Sequence, residues 1–309
     1  MSGKTNRGPT YGLARPTTEL PVEAHAVSIE PLSGVSETLV IPVYARALET
    51  ERPDGIIRDQ KSVEVVRRLD YDFSKFGWMW AAQIGIAIRT EIIDRLAEEF
   101  MQAHTNVIAV NLGAGLCTRY YRLGNGDVKW FELDLPQVKT VRDRVLGESE
   151  RHRFLIYSVM DFSWMERIKA EAAGRVLFIA EGLLMYFPET EVRALLAEMA
   201  RNFPGSEMIL ETIGPMLAHS SRIHPLLSKT NAQFRWGIGD LRAIEGWSPA
   251  IHLAGQYRLF DYYPARWRFL RWLRRVPRLR QQMMIAHLRF APATVSVGGY
   301  GAGGSGDRP

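Results

Sequence analysis

An α/β fold, a parallel sheet with helices on both faces, is predicted by three features of the chain. After His104, short apolar β-rich runs alternate with helical stretches, which is the grammar of strand–helix–strand crossovers. The first of these runs ends in Asn111-Leu112-Gly113-Ala114-Gly115-Leu116, a glycine turn at the carboxyl end of a strand. Ahead of them, Trp80, Ile84, Ile88, Ile92, Leu96 and Phe100 recur every four residues. Arg89, Glu91, Asp94, Arg95, Glu98 and Glu99 fall mostly off that stripe, so the segment reads as a long amphipathic helix.

The elements follow in order. Residues 1–30 carry Pro9, Pro16 and Pro21 and little periodicity, and read as a mobile N-terminal arm. Residues 31–104 are helical, with a start at Ser36 running through Glu49 and a second helix over 60–69. Strands are expected at 107–112, 129–133, 153–158, 176–180 and 207–212, with helices at 118–121, 136–146, 164–173 and 189–202. The last helix opens on Pro188, Glu189 and Glu191, where a fixed φ and acidic side chains suit a helix N-terminus. Residues 214–256 lack an obvious strand and hold His219, His224, Phe234, Trp236, Trp247 and His252. A stretch of that length is expected to fold as a substrate cap inserted after the fifth strand. A final pair of strands is placed at 257–263 and 288–297, and 298–309 is a glycine-rich tail. The arm and the tail thus flank a single domain, 31–297.

The 309 residues carry a formal net charge of +5, but seven arginines lie in the acid-free window 266–280, and removing those seven leaves −2. The body of the chain therefore has no diffuse basic footprint for nucleic acid. The window itself reads as an amphipathic helix turned at Pro277, with Trp267, Phe269, Leu270, Trp272, Leu273, Val276 and Leu279 docked on the domain and the arginines reaching solvent, a membrane-surface helix being the alternative. The most apolar run, 176–187, is about half a bilayer span and has Glu181 at its centre, so no integral membrane association is expected. The first thirty residues lack the apolar stretch of a secretory signal, and a lone cysteine, Cys117, forms neither an internal disulfide nor a zinc site. Both point to the cytoplasm and to no bound metal.

Chemistry concentrates at the strand ends. Gly113 and Gly115 let the backbone turn tightly and approach a ligand, and Ala114 lies between them. The third glycine of a dinucleotide fingerprint is replaced by Thr118. Asp134 lies about twenty residues on, where an acid receives ribose hydroxyls. Asp161 with Phe162 ends the third strand and suits an adenine, and Glu181 ends the fourth. Three acids beside a glycine turn without a phosphate-binding lysine favour a ribose-bearing ligand that is cationic or neutral, which S-adenosyl-L-methionine is.

The runs 110–123 (VNLGAGLCTRYYRL), 130–136 (WFELDLP) and 180–186 (AEGLLMY) resemble the leucine carboxyl methyltransferase family. Arg46 in Tyr-Ala-Arg-Ala, the runs 70–76 and 161–165, and Ser228-Lys229-Thr230 resemble its polyketide-tailoring branch. The resemblance spans residues from about 32 to 280. It implies a class I methyltransferase, Rossmann-like sheet, with S-adenosylmethionine as cofactor. It also implies that Arg46 and Arg89 hold the methionyl carboxylate, Gly113 approaches the methionyl part, Asp134 binds the ribose, Asp161 and Phe162 the adenine, and Glu181 the amino group or the sulfonium side. The family usually has Asp at the position of Cys117, an acid that helps order the glycine loop.

The activity so implied is O-methyl transfer to a carboxylate or phenolic hydroxyl of a small molecule, in polyketide or related secondary metabolism. A carboxylate is already ionised near neutrality, whereas a phenol profits from a base. His219, His224 and Tyr186 are the candidate catalytic groups. The competing expectations are a protein C-terminal carboxyl methyltransferase and a non-catalytic adenosyl-ligand binding protein. The sequence leaves the oligomeric state open.

Overall fold

The computed structural model describes residues 27–29, 36–76, 80–124, 127–219 and 233–292. At the N-terminal side, β1 (Val27–Ser28) pairs in parallel with β2 (Leu69–Asp70), and Val27 is buried. The end of the predicted arm is thus docked, while the rest of it lies outside the described residues. Helices α1 (Ser36–Thr50) and α2 (Gln60–Arg68) pack on each other, and Asp59 caps α2 by accepting from the Ser62 N–H at 3.0 Å. The four-residue stripe produces α3 (Trp80–Ala103), in which Ile84, Ile88, Ile92, Leu96 and Phe100 are all buried.

The alternating part follows as β3 (Ile108–Leu112), α4 (Arg119–Leu123), β4 (Lys129–Asp134), α5 (Pro136–Val145), β5 (His152–Ile156), α6 (Trp164–Glu171), β6 (Val176–Ala180), α7 (Glu189–Asn202) and β7 (Glu207–Ile213). Then come a single turn, α8 (Pro215–His219), β8 (Ile251–Arg258), another turn, α9 (Pro277–Arg280), and β9 (Met283–Phe290). Seven strands form one sheet in the order β5-β4-β3-β6-β7-β9-β8, parallel except for β9, which is antiparallel to both neighbours. Side chains alternate between the faces. Ile108, Val110 and Leu112 join Val192, Leu195 and Met199 on one side, and Ala109, Leu177 and Ile179 meet α3 on the other. The chain crosses from β3 to β4 on one flank and reaches β6 on the other, so a crevice opens beyond the carboxyl ends of β3 and β6. Among the described residues no helix is long and apolar enough to cross a membrane.

Three expectations need correction. The last two strands begin earlier than placed, at Ile251 and Met283, and 259–261 is a 3-10 turn burying Leu259 and Phe260. Strand β9 is sandwiched between β7 and β8, which hides its alternation, and β8 is broken by an irregularity between Leu253 and Gly255. The cap is accordingly shorter, because 251–256 belongs to the sheet. Its aromatics Trp236 and Trp247 lie 5.9 Å apart with their rings tilted and pack with Leu241 and Ile244 into the main core rather than lining a cleft. Finally, the arginine-rich window is a 3-10 helix (Arg268–Arg275) followed by α9, and only part of its apolar side is docked. Trp267 is buried and Leu270 and Leu273 are half-buried, but Phe269, Trp272 and Val276 are exposed.

Candidate active site

Where β3 ends, the chain turns through Gly113 (φ +63°) and Gly115 (φ +50°), both left-handed conformations that a side chain strains. A Cβ at 113 would stand 2.6 Å from Leu183 Cδ1, and one at 115 would stand 2.8 Å from Leu39 Cδ2. Gly113→Ala is therefore expected to lower stability by ~1–2 kcal/mol from backbone strain alone, with a further loss as Leu183 is displaced, measurable by urea denaturation. The turn is held from two sides. The Asp134 carboxylate, at the end of β4, accepts from the Gly115 N–H at 2.7 Å and the Leu135 N–H at 2.8 Å. From α5, Arg142 Nη1 donates to the carbonyls of Gly115 (2.8 Å) and Cys117 (3.2 Å). Burial pushes the Asp134 carboxyl above its usual range, the two backbone N–H groups only partly opposing it. Its neighbour Glu132 is inside the protein and belongs to the scaffold, accepting from Asn111 Nδ2 at 2.7 Å beside Arg142 and His152.

A ladder of alternating charges runs behind this turn. Arg89 Nη1 donates to Glu211 at 2.9 Å and its Nε to Glu181 at 2.8 Å. Glu181 also accepts from Arg119 Nη2 at 2.5 Å, and Arg119 Nε donates to Asp94 at 2.6 Å. Asp94 holds Arg122, Arg122 holds Asp59 at 2.6 Å, and Asp59 holds Arg46 at 2.9 Å. Thr118 donates its hydroxyl to Asp59 at 2.5 Å. Four acids and four arginines thus tie α1, α2, α3 and α4 to the ends of β6 and β7, and Arg119 is fully buried. Such a set is tolerable only because each charge is paired and hydrogen-bonded.

Burial opposes ionisation of Glu181, but Arg119, Arg89 and Arg46 outweigh it and hold its carboxyl well below the usual range. Burial and the charge of Glu181 push Glu211 the other way, with Arg89 compensating only in part. Two donors of the ladder are left over: among the described residues neither Arg46 Nη1 nor Arg89 Nη2 makes a hydrogen bond. Arg89 Nη2 lies 3.7 Å from where a Cβ would stand on Gly182, itself left-handed at φ +67°.

The other expected residues are placed as follows. Asp161 is exposed, and its carboxylate accepts from the Ser163 N–H (3.1 Å) and hydroxyl (2.7 Å), which hold it below the usual range; Phe162 beside it is half-buried. Tyr186 lies against Phe234 with ring centroids 5.4 Å apart and tilted, and burial together with Glu211 pushes its phenol up to about 12. It is therefore a proton donor at neutral pH and not a base. His219 is exposed at the end of α8 with Nδ1 2.6 Å from the Pro215 carbonyl. A carbonyl only accepts, so Nδ1 is the donor in this contact. His224 lies outside the described residues, as do Ser228-Lys229-Thr230. The Cys117 sulfur accepts from Arg119 Nη1 at 3.6 Å, a weaker anchor than the family's carboxylate.

Sequence reasoning missed Asp59, Asp94, Arg119, Arg122, Arg142 and Glu211. Arg119 and Arg122 sit within a run that carried the family resemblance, three residues apart and so on one helix face, and that was the available signal. The donor set suits the ligand inferred from sequence. A carboxylate with unused lone pairs faces the crevice where a ribose would lie, and two leftover guanidinium donors flank Glu181, matching a carboxylate beside an ammonium.

Comparison with known proteins places the chain in a family. The leucine carboxyl methyltransferase profile matches residues 40–200, from the middle of α1 through most of α7. The tetracenomycin polyketide synthesis O-methyltransferase of Streptomyces glaucescens is 29% identical over 231 residues, covering 74% of this chain and 85% of that protein. An S-adenosyl-L-methionine-dependent methyltransferase of Gibberella zeae is 28% identical over 254 residues, covering 75% and 85%. The crystal structure of a DUF574 family protein from Streptomyces avermitilis shares the fold, with a TM-score of 0.52 at 12% identity over 80% of this chain and 97% of that one. The sheet order, the glycine turn, the strand-end acids and a profile match over more than half the sequence converge: the chain belongs to the leucine carboxyl methyltransferase family.

Proposed function

We propose that the protein is an O-methyltransferase that esterifies a carboxylate of a small molecule from polyketide or related secondary metabolism. Dependence on S-adenosylmethionine goes with the family; the observation that carries the finer reading is the buried phenol of Tyr186, a group that can donate to an acceptor oxygen but does not take its proton. Tyr186 is held protonated and His219 stands at the exposed rim, so an oxygen that is already ionised is the nucleophile best served.

When bound, the cofactor supplies a methyl group on a positively charged sulfur. The chain's part is placement. Asp134 would receive the ribose hydroxyls, the leftover nitrogens of Arg46 and Arg89 would clamp the methionyl carboxylate, and Glu181 would face the ammonium. Gly113, Ala114 and Gly115 let the backbone come close, and Asp161 with Phe162 would take the adenine. Tyr186 can donate its hydroxyl to one acceptor oxygen and aim the other. Orientation of this kind is worth effective molarities of ~10⁵ M or more, and a carboxylate requires no proton transfer.

A phenolic acceptor is the second reading, favoured by His219, whose Nδ1 meets the Pro215 carbonyl and whose Nε2 makes no hydrogen bond among the described residues. The two separate cleanly. On a carboxylate, His219→Ala is expected to keep kcat within a factor of about three, whereas loss of a working base costs ~10²–10⁴-fold. The direct test supplies methyl-labelled cofactor and extracts of a producing organism. A base-labile label in the organic phase supports the ester, and a base-stable one supports the ether. Label in protein would move the activity to C-terminal carboxyl methylation, and bound cofactor without transfer would mean a binding protein.

A further inference from the structure

The arginine-rich window gains a sharper meaning from its helix type. A 3-10 helix has three residues per turn, so side chains at i and i+3 eclipse. Over Arg268–Arg275 this sorts the sequence into three rows. Leu270 and Leu273 continue Trp267 inward, against α3 and the 3-10 turn Leu259–Asp261. Arg268, Arg271 and Arg274 form the second row. Phe269, Trp272 and Arg275 form the third, on the exposed side, where Phe269 meets the Trp80 ring edge-on at 5.6 Å. Phe269 is 70%, Trp272 53% and Val276 47% exposed.

Two of the seven arginines are anchors. Arg266 pairs with Glu49 at 2.8 Å and Arg280 with Asp261 at 2.6 Å. Arg268 lies over the Trp80 ring at 5.2 Å. Arg271, Arg274, Arg275 and Arg278 are exposed and have no carboxylate partner among the described residues, and Arg275 is stacked on Trp272 at 4.0 Å. Three apolar tips therefore stand among four unpaired guanidiniums.

We infer that this face is a peripheral docking surface for an anionic lipid bilayer. The phosphate layer would receive the guanidiniums while Trp272, Phe269 and Val276 enter the headgroup–acyl boundary, the layer in which tryptophan is favoured. An acidic protein would satisfy the charges but would have to be shaped around three projecting apolar side chains, whereas a bilayer accepts both at once. The geometry also sets the orientation. Met283, just after the window, pairs with Ile213 at the carboxyl end of β7. A bilayer seated here lies at the edge of the sheet that carries Gly113, Asp134 and Glu181.

The test is co-sedimentation of the full chain with phosphatidylcholine vesicles, with and without phosphatidylglycerol. Retention is expected only on the anionic vesicles and is expected to fall with added salt. Each guanidinium near such a surface is worth about a fivefold factor, so Arg271→Gln, Arg274→Gln, Arg275→Gln and Arg278→Gln together should weaken partitioning about a hundredfold or more. Methyl transfer to a water-soluble acceptor should be unchanged in that variant, which also reports that it is folded. Phe269→Ala with Trp272→Ala should weaken retention at unchanged salt dependence. No retention on anionic vesicles at low salt, or equal retention by the four-arginine variant, would overturn the proposal. A Phe269 and Trp272 double variant that binds like the parent would overturn it too, leaving a plain polyanion patch. The readout is independent of the acceptor, so its failure and that of the methyltransferase reading are distinguishable.

Discussion

Glu181→Ala is expected to lower stability by ~3–5 kcal/mol and to abolish S-adenosylmethionine binding, read as a shifted urea midpoint and a flat calorimetric titration. Glu181 bonds two arginines of the ladder, Arg89 and Arg119, and both are nearly or wholly removed from solvent, Arg89 with 12% and Arg119 with 0% of its side chain exposed. Deleting it leaves two buried guanidiniums with one partner each and moves Arg89 out of register with Gly182. A second substitution separates the roles. Adding Arg89→Met removes one stranded charge and should recover part of the stability, but it cannot recover cofactor binding, because the same guanidinium is the proposed carboxylate clamp. Recovery of binding in the double variant would contradict the assignment.

The buried carboxylates of the ladder and of the glycine turn also dictate an acid limb. Glu181, Asp59 and Glu132 are held below their usual ranges against burial, chiefly by Arg119, Arg122 and Arg142 respectively. A carboxyl depressed in the folded state stabilises above its unfolded pKa, about 4, and that contribution is lost as the pH falls towards the folded value. Glu211 is raised and works with the opposite sign, its contribution present at low pH and lost as the pH rises through its folded value. With three depressed groups against Glu211 and Asp134, stability should fall steeply below about pH 4, and Glu181→Ala should flatten that limb.

What could be read from the chain was what local spacing encodes. The glycine turn, Asp134 about twenty residues on and Glu181 at a strand end are set by one strand–helix–strand unit each, and the structure puts all three on one sheet edge. The partners of Arg89, Arg119 and Arg46 were not legible. They come from α2, α3 and β7, 13 to 122 residues away in sequence, and the way helices pack across the sheet decides them. The aromatics Trp236 and Trp247 show the same limit, since a tryptophan in a core and one in a cleft wall look alike without a neighbour list. The arginine window failed for a different reason. Its apolar side chains read as one docked face, whereas the three-residue period of the observed helix divides them, with Leu270 and Leu273 inward and Phe269 and Trp272 outward.

Asp134→Asn is expected to weaken S-adenosylmethionine binding by about 10- to 100-fold, the worth of one charge-assisted hydrogen bond of ~1.5–3 kcal/mol, while changing stability by no more than ~1 kcal/mol. The two effects part company because of where the carboxylate sits. Burial raises its pKa, so as an anion it is a burden on the fold at neutral pH, whereas a ribose needs the acceptor that only the anion fully provides. The amide loses one of the acceptors now used by the Gly115 and Leu135 N–H groups, but it also removes a buried charge, and the two changes offset. The pH dependence follows with a definite sign. Binding should weaken as the pH falls through the raised Asp134 pKa, beginning above the range of an ordinary aspartate, and the asparagine variant should be weak and flat across the same interval. A variant that binds like the parent, or one whose stability falls as far as that of Glu181→Ala, would show that Asp134 serves the turn and not the ligand.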